Sequence, residues 1–338
     1  MKSLENKSIC IVGGAGFIGH HLALYLKEHG AEVTVIDGLN VNNLLYLHSS
    51  TSPVAYRDHY IRFVEQRLKM LRDNDIPLHV IDARDYGTLG AAIAKSKANV
   101  VIMLAAVAHA DRSNKNPFNT FDHSLRTLEN SLDASRSQIE HFIYFSSSMV
   151  YGNFPPEGVA EETPTDPIGI YGNLKKAGEQ MVKAYKNVFD LDYTIVRPSA
   201  LYGERCVSGR VGQIFIENLM NKKPLVINGQ GEDRLDFTYI QDLCHGVECV
   251  IKNKNARNET FNITYGESRS LKQMVDIIQK HFANVQIEYK PKDSLTPDRG
   301  TLLVDKARKM IGYSPSFPLE KAYPRYIQWY KENWHKMI

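Results

Sequence analysis

The segment that most constrains this chain is a glycine-rich turn set between an apolar run and a helix-forming run. Ser8–Val12 (SICIV) has the β-branched character of a buried strand, Gly13-Gly14-Ala15-Gly16-Phe17-Ile18-Gly19 follows at once, and Phe17–His29 carries helical periodicity closed by Gly30. Glycines at this spacing allow a tight turn, close approach of backbone to a pyrophosphate and close packing of helix on strand. The helix N-terminus then offers unpaired N–H groups to the anion. Gly13, Gly16 and Gly19, with Phe17 and Ile18 on the first helical turn, are therefore the candidate dinucleotide-binding residues. A second strand, Glu32–Ile36, leads into Asp37, 18 residues beyond Gly19. An acid there accepts from an adenosine ribose diol and repels a 2′-phosphate, which favours NAD over NADP.

Further strands are expected at Leu78–Ile81, Val100–Leu104, Phe142–Phe145 and Tyr193–Val196, with helices at Tyr86–Lys95, Phe118–Ser137 and Tyr171–Val188. Strands alternating with helices predict an α/β fold with a doubly wound parallel (Rossmann) sheet, and such sheets bind ligands beyond the carboxyl ends of their strands. Helical periodicity over Tyr56–Leu71 predicts an extra helix inside an unusually long connection, to which no function is assigned. In Asp82-Ala83-Arg84-Asp85, Asp82 and Ala83 are candidates for the adenine side, with helix capping by Asp85 the competing use. After about Gly203 the pattern becomes mixed and predicts a smaller α/β lobe. The expected division is a NAD-binding domain over 1–200 and a substrate-binding lobe over 201–338, with chain crossovers between them.

Composition narrows the partners. The 338 residues hold 41 Lys plus Arg against 38 Asp plus Glu, a net charge of +3, with 43% hydrophobic and 23% charged residues. This is ordinary globular composition, and it gives no reason to expect nucleic acid or a membrane as partner. Cys10, Cys206, Cys244 and Cys249 form no C-x-x-C pair, so neither a disulfide frame nor a metal site is expected. The N-terminus has no signal-peptide core and no apolar run is long enough to span a bilayer, so a cytoplasmic location is expected.

Tyr171-Gly172-Asn173-Leu174-Lys175 sets a phenol and an ammonium one helical turn apart. A tyrosine of pKa about 10 is a poor base near neutrality, but a lysine and a cationic nicotinamide both stabilise its phenolate and make it a usable acid/base. Upstream, Ser146-Ser147-Ser148-Met149-Val150-Tyr151-Gly152 follows a strand, where a serine hydroxyl can share a substrate oxygen with that phenol.

Together GGAGFIG, Asp37, LAA (Leu104–Ala106), SSSMVYG, YGNLK, VRPSALYG (Val196–Gly203), LDFTYIQDL (Leu235–Leu243) and DRG (Asp298–Gly300) resemble the extended short-chain dehydrogenase/reductases. The resemblance is to their NAD-dependent nucleotide-sugar epimerase/dehydratase group and runs from about Ser8 to Pro315. It implies a tightly held NAD that oxidises a sugar at C4. It further implies that Tyr171 takes the hydroxyl proton, Lys175 tunes it and binds the nicotinamide ribose, and Ser147 bonds the same oxygen, Ser148 being the alternative. Leu104, Ala105, Ala106 and Pro198 fall on cofactor positions. Arg210, Arg234 and Arg299 are the candidates for gripping a nucleotide diphosphate.

Three departures from the family pattern matter. Met149 stands where dehydratases and decarboxylases carry a glutamate, which disfavours elimination and leaves epimerisation or net oxidation at C4. Leu235 replaces an arginine, with Arg234 one place earlier, and Ala200 replaces an asparagine, both at substrate positions. His109, with Asp111, lies in a loop expected to face the sugar. The expected activity is a nucleotide-sugar 4-epimerase, with a 4-dehydrogenase as the alternative, in a setting of polysaccharide precursor synthesis. Family members commonly pair two helices across a two-fold axis. The resemblance therefore implies a homodimer with a four-helix bundle built from Phe118–Ser137, whose stripe is Phe121, Leu125, Leu128 and Leu132, and Tyr171–Val188.

Overall fold

A computed structural model describes residues 3–40, 43–49, 54–107, 110–292 and 297–334. Six strands lie in the N-terminal part of the chain: β1 (Ser8–Val12), β2 (Glu32–Asp37), β3 (Leu78–Val80), β4 (Val100–Met103), β5 (His141–Phe145) and β6 (Tyr193–Arg197). They form one parallel sheet in the order β3-β2-β1-β4-β5-β6, and Glu259–Asn262 from the C-terminal part adds a seventh strand beside β6. The order reverses between β1 and β4, where the crossovers leave a crevice at the strands' carboxyl ends. Every residue of β4 and β5 is buried, as expected of central strands covered on both faces.

Alternation along the strands divides the core in two. Ile9 and Ile11 of β1 point to one face, with Phe63, Val64, Val247 and Tyr330; Cys10 and Val12 point to the other, with Leu89, Leu128, Leu132 and Val182. The extra helix expected near Tyr56–Leu71 is present as Arg57–Asp73 and packs beside the first helix, α1 (Phe17–Glu28).

The single helix expected over Phe118–Ser137 is instead Pro117–Phe121, a wide π turn at Asp122–Arg126, and Thr127–Ser135. The Thr127 hydroxyl bonds the carbonyls of His123 (2.9 Å) and Ser124 (3.2 Å), drawing the chain out of the ordinary ladder. The expected apolar stripe is accordingly split. Leu128 and Leu132 are buried on the sheet, Leu125 is half-buried, and Phe121 remains 51% exposed.

Behind the ends of β5 and β6 a buried ion pair ties the sheet to helix Ile170–Phe189. Glu179 accepts from Arg197 Nε (2.9 Å) and a terminal nitrogen (2.7 Å), and also from Ser146 Oγ (2.5 Å). Arg197 continues to the Tyr151 hydroxyl at 2.9 Å and the Glu161 carbonyl at 3.0 Å. Removing one member leaves the other charged in a dry interior. Arg197→Met is expected to cost about 3–5 kcal/mol, read as a lower urea midpoint, whereas a loss below about 1 kcal/mol would contradict the pairing.

Candidate active site

Two adjoining cavities fill the crevice. One, of about 140 Å³, is lined by Gly13, Gly16, Phe17, Ile18, Gly19, Asp37, Asp82 and Ala83, with Leu104, Ala105 and Ala106 opposite. Backbone geometry there demands glycine. Gly13 has φ +88°, and a Cβ on it would lie 2.6 Å from the Ala105 nitrogen; a Cβ on Gly19 would meet Gly14 Cα at 2.4 Å. Asp37 ends β2 with one carboxylate oxygen accepting from Ala15 N (2.9 Å) and the other from Leu39 N (2.8 Å). Burial pushes its carboxyl up, and those two amides together with the Arg67 charge pull it back. Missing Cβ atoms, the open N-terminus of α1 and an acid at the end of β2 fit a dinucleotide with a free ribose diol.

Asp82 reaches this groove, but Arg84 takes up its carboxylate (2.6 Å) and Asn40 donates to it at 3.2 Å. The Arg84 guanidinium holds it down to about 2. Asp85 is the N-cap of the next helix, accepting from Thr88 N at 3.1 Å. His123 and Thr127, brought to the groove by the π turn, and Ser208 were not singled out in the sequence; no spacing motif marks them.

The second cavity, of about 310 Å³, shares Ile18, Leu104, Ala106 and Arg210 with the first. Ser147, Ser148, Met149, Tyr171, Lys175, Pro198, Ala200 and Arg299 line it, so residues from four distant segments meet here. Ser147 follows β5, accepts from Met149 N at 3.2 Å, and lines the cavity beside Tyr171. Burial pushes the Tyr171 phenol above its usual value, while Ser147, Arg210 and Arg299 pull it down. Lys175 does not point straight at the phenol. Its ammonium donates to the Phe145 carbonyl at 2.7 Å and lies 6.0 Å from the centre of the Tyr171 ring. Burial brings that ammonium down to about 8, with Glu179 opposing.

Two guanidinium groups reach this cavity. Arg299 donates to Ser148 Oγ (2.5 Å), Ser199 Oγ (3.0 Å) and Met149 Sδ (3.1 Å), and its Nε is buried without a partner; Arg210 Nε is in the same condition. Buried N–H groups left open in this way are poised for an anionic ligand. Arg234 turns aside to Ser268, at 3.0 Å to its hydroxyl and 2.8 Å to its carbonyl, and lines a neighbouring cavity of about 180 Å³ with Leu235 and Arg299. Ser199 is a further residue without a sequence signal of its own. His109 lies outside the described residues. Among the described residues no three metal-ligating side chains cluster, and no helix is long and apolar enough to cross a membrane.

Gly13→Ala should force either the turn or the Ala105 backbone to move. The expected result is roughly 1–3 kcal/mol of lost stability and lower NAD content in the purified protein. Thermal unfolding and quantitation of released nucleotide would measure both, and normal values for the two would contradict the close-approach argument.

The sequence model of the NAD dependent epimerase/dehydratase family matches residues 9–264. A putative UDP-glucose 4-epimerase of Methanocaldococcus jannaschii is 30% identical over 334 residues, 96% of this chain and 99% of that protein. The UDP-glucuronate 4-epimerase of Thermodesulfobacterium geofontis is 26% identical, covering 96% of each, and the mouse dTDP-D-glucose 4,6-dehydratase is 25% identical over 97% of this chain and 90% of its own. The solved UDP-glucose 4-epimerase of Thermotoga maritima shares the fold at a TM-score of 0.82 and 23% identity, over 97% of this chain and 99% of that one. The Bacillus cereus UDP-glucuronic acid 4-epimerase structure also gives 0.82, at 24% identity over 96% and 99%. With the family pattern matched over most of its length and laid on a doubly wound sheet with a dinucleotide groove, this chain belongs to the NAD-dependent epimerase/dehydratase family.

Proposed function

We propose that this enzyme is a nucleotide-sugar 4-epimerase acting on a nucleotide-diphospho-hexose through transient oxidation at C4. The observation that carries the reading is the lining of the larger cavity: among the described residues it contains no carboxylate, imidazole or thiol. Tyr171, paired with Ser147, is the proton-transfer group there. Position 149 offers a thioether bonded to Arg299, which moves no proton. Eliminating a C6 hydroxyl needs acid/base help away from C4, whereas epimerisation needs one base at C4.

In this reading Ser147 and Tyr171 share the C4 hydroxyl, and Tyr171 accepts its proton. Bound NAD supplies the hydride acceptor and the hydride that returns to the opposite face. Lys175 keeps positive charge beneath the reacting centre and binds the nicotinamide ribose. Arg210 and Arg299 turn their open N–H groups to the diphosphate, with Arg234 at the nucleotide end. Once C4 has given up both its hydroxyl proton and its hydride, the 4-keto sugar turns in the cavity, and Tyr171 returns the proton when the hydride returns. Relatives described as UDP-glucose and UDP-glucuronate 4-epimerases support a UDP sugar as the first to try.

A homodimer and a cytoplasmic role in polysaccharide precursor synthesis belong to the same reading. Phe118, 83% exposed, with Phe121, 51% exposed, leaves apolar surface on the segment Pro117–Phe121, and a second copy would cover it. Light scattering is expected to give twice the chain mass; a monomer at micromolar concentration would contradict this part.

Tyr171→Phe is expected to lower turnover about 10²–10⁴-fold while NAD remains bound. Lys175 is useful as its ammonium, the form present below its pKa of about 8, so turnover should fall as pH rises through that value. A pH profile flat to well above it would remove Lys175 from the mechanism. The decisive experiment incubates the protein with UDP-, GDP-, CDP- and dTDP-sugars. A product of unchanged mass with inverted C4 and no lasting NADH absorbance supports the epimerase; a product lighter by two hydrogens with accumulating NADH makes it a 4-dehydrogenase.

A further inference from the structure

Beneath the dinucleotide groove lies a cluster of buried and half-buried cationic and imidazole side chains that the chemistry above does not use. Arg67, on the extra helix Arg57–Asp73, is 0% exposed, and so is His20 on α1. His20 Nδ1 donates to the Gly16 carbonyl in the glycine turn at 2.9 Å, and its Nε2 accepts from Arg205 Nε at 3.0 Å. This bonding needs the neutral ring, and burial beside Arg67 and Arg205 holds His20 well below its ordinary pKa. Adjacent His21 donates from Nε2 to the Glu204 carbonyl at 3.0 Å. Arg67 completes the set by giving both Nε, at 3.0 Å, and a terminal nitrogen to the Arg205 carbonyl.

Backbone 204–205 is thus gripped from two sides, by α1 and by the extra helix. Arg205 sits at φ +59°, a strained conformation for a residue with a side chain. Three residues later the same loop delivers Ser208 to the cofactor groove, and then Arg210 to both cavities. Burying one guanidinium and one imidazole completely, beside a half-buried Arg205 and His21, is costly, and ordinary packing would be met by apolar residues. The arrangement instead makes one continuous path from the glycine turn to the loop that closes over the groove.

We propose that His20 and Arg205, anchored by Arg67, are positioning residues that lock the dinucleotide turn at Gly16 to loop 203–210, so that NAD is retained from one turnover to the next. The extra helix is then the outside brace of a clamp on the cofactor. The clamp acts on NAD alone and holds whichever sugar is the substrate.

The test follows NAD release from purified holoenzyme after dilution. Arg205→Met and His20→Leu are each expected to release NAD roughly tenfold faster, the effect of losing one buried hydrogen bond. Because they break the same link, the double variant should release no faster than the worse single one. Arg205→Lys, which keeps a donor for His20, should recover most of the retention. Wild-type release from a variant whose Tm has fallen would show packing alone and overturn the proposal, as would effects that multiply in the double variant. Should the variants misfold, hydrogen exchange on the wild-type protein decides. NAD loading is expected to slow exchange at amides 203–206, and unchanged exchange there would overturn the clamp.

Discussion

The whole molecule turns on one close approach, Gly13 against the backbone of Ala105 at the carboxyl ends of β1 and β4. Neighbouring strands here send their crossovers in opposite directions, so no helix covers the gap and a ligand can enter. A side chain at Gly13 would fill it. The same gap widens past Leu104 and Ala106 into the larger cavity, so the dinucleotide groove and the cavity lined by Tyr171 and the two arginines form one crevice.

Electrostatics in the larger cavity is a contest between burial and positive charge. Burial disfavours the Tyr171 phenolate, and the charges that oppose it most directly belong to Arg210 and Arg299, not to the neighbouring Lys175. Both arginines come from the C-terminal part of the chain, so any anion paired with them would also change the field at the phenol. Lys175 works from below, its ammonium fixed on the Phe145 carbonyl. Through Ser146, the Glu179–Arg197 pair fixes the residue beside Ser147. A buried ion pair thereby holds the backbone next to Ser147 in place.

Much of this was legible beforehand because it is local. The strand–turn–helix at the start, the acid after β2, the capping aspartate at Asp85 and the turn-spaced Tyr171 and Lys175 depend on neighbours within a few residues. The helix expected over Phe118–Ser137 is present over 117–135, but its π turn has no local signal: it lies where the Thr127 hydroxyl reaches toward Ala105 at 3.4 Å, a residue 22 positions away. Arg234 and Arg299 looked alike as candidates, yet Ser268 holds the first and the serines after β5 and β6 hold the second.

Sequence alone therefore determined the sheet, the glycine turn, the acid at the end of β2 and the one-turn spacing of Tyr171 and Lys175, since period, glycine spacing and helical turn are properties of short segments. Tertiary structure decided which distant residues share a cavity: that Arg210 and Arg299 meet Tyr171, that Met149 is occupied by a guanidinium, and that Arg67, His20 and Arg205 join beneath the groove. Such meetings are set by how whole elements pack, and hydrogen-bond partners more than a hundred positions apart leave no periodic trace in the chain.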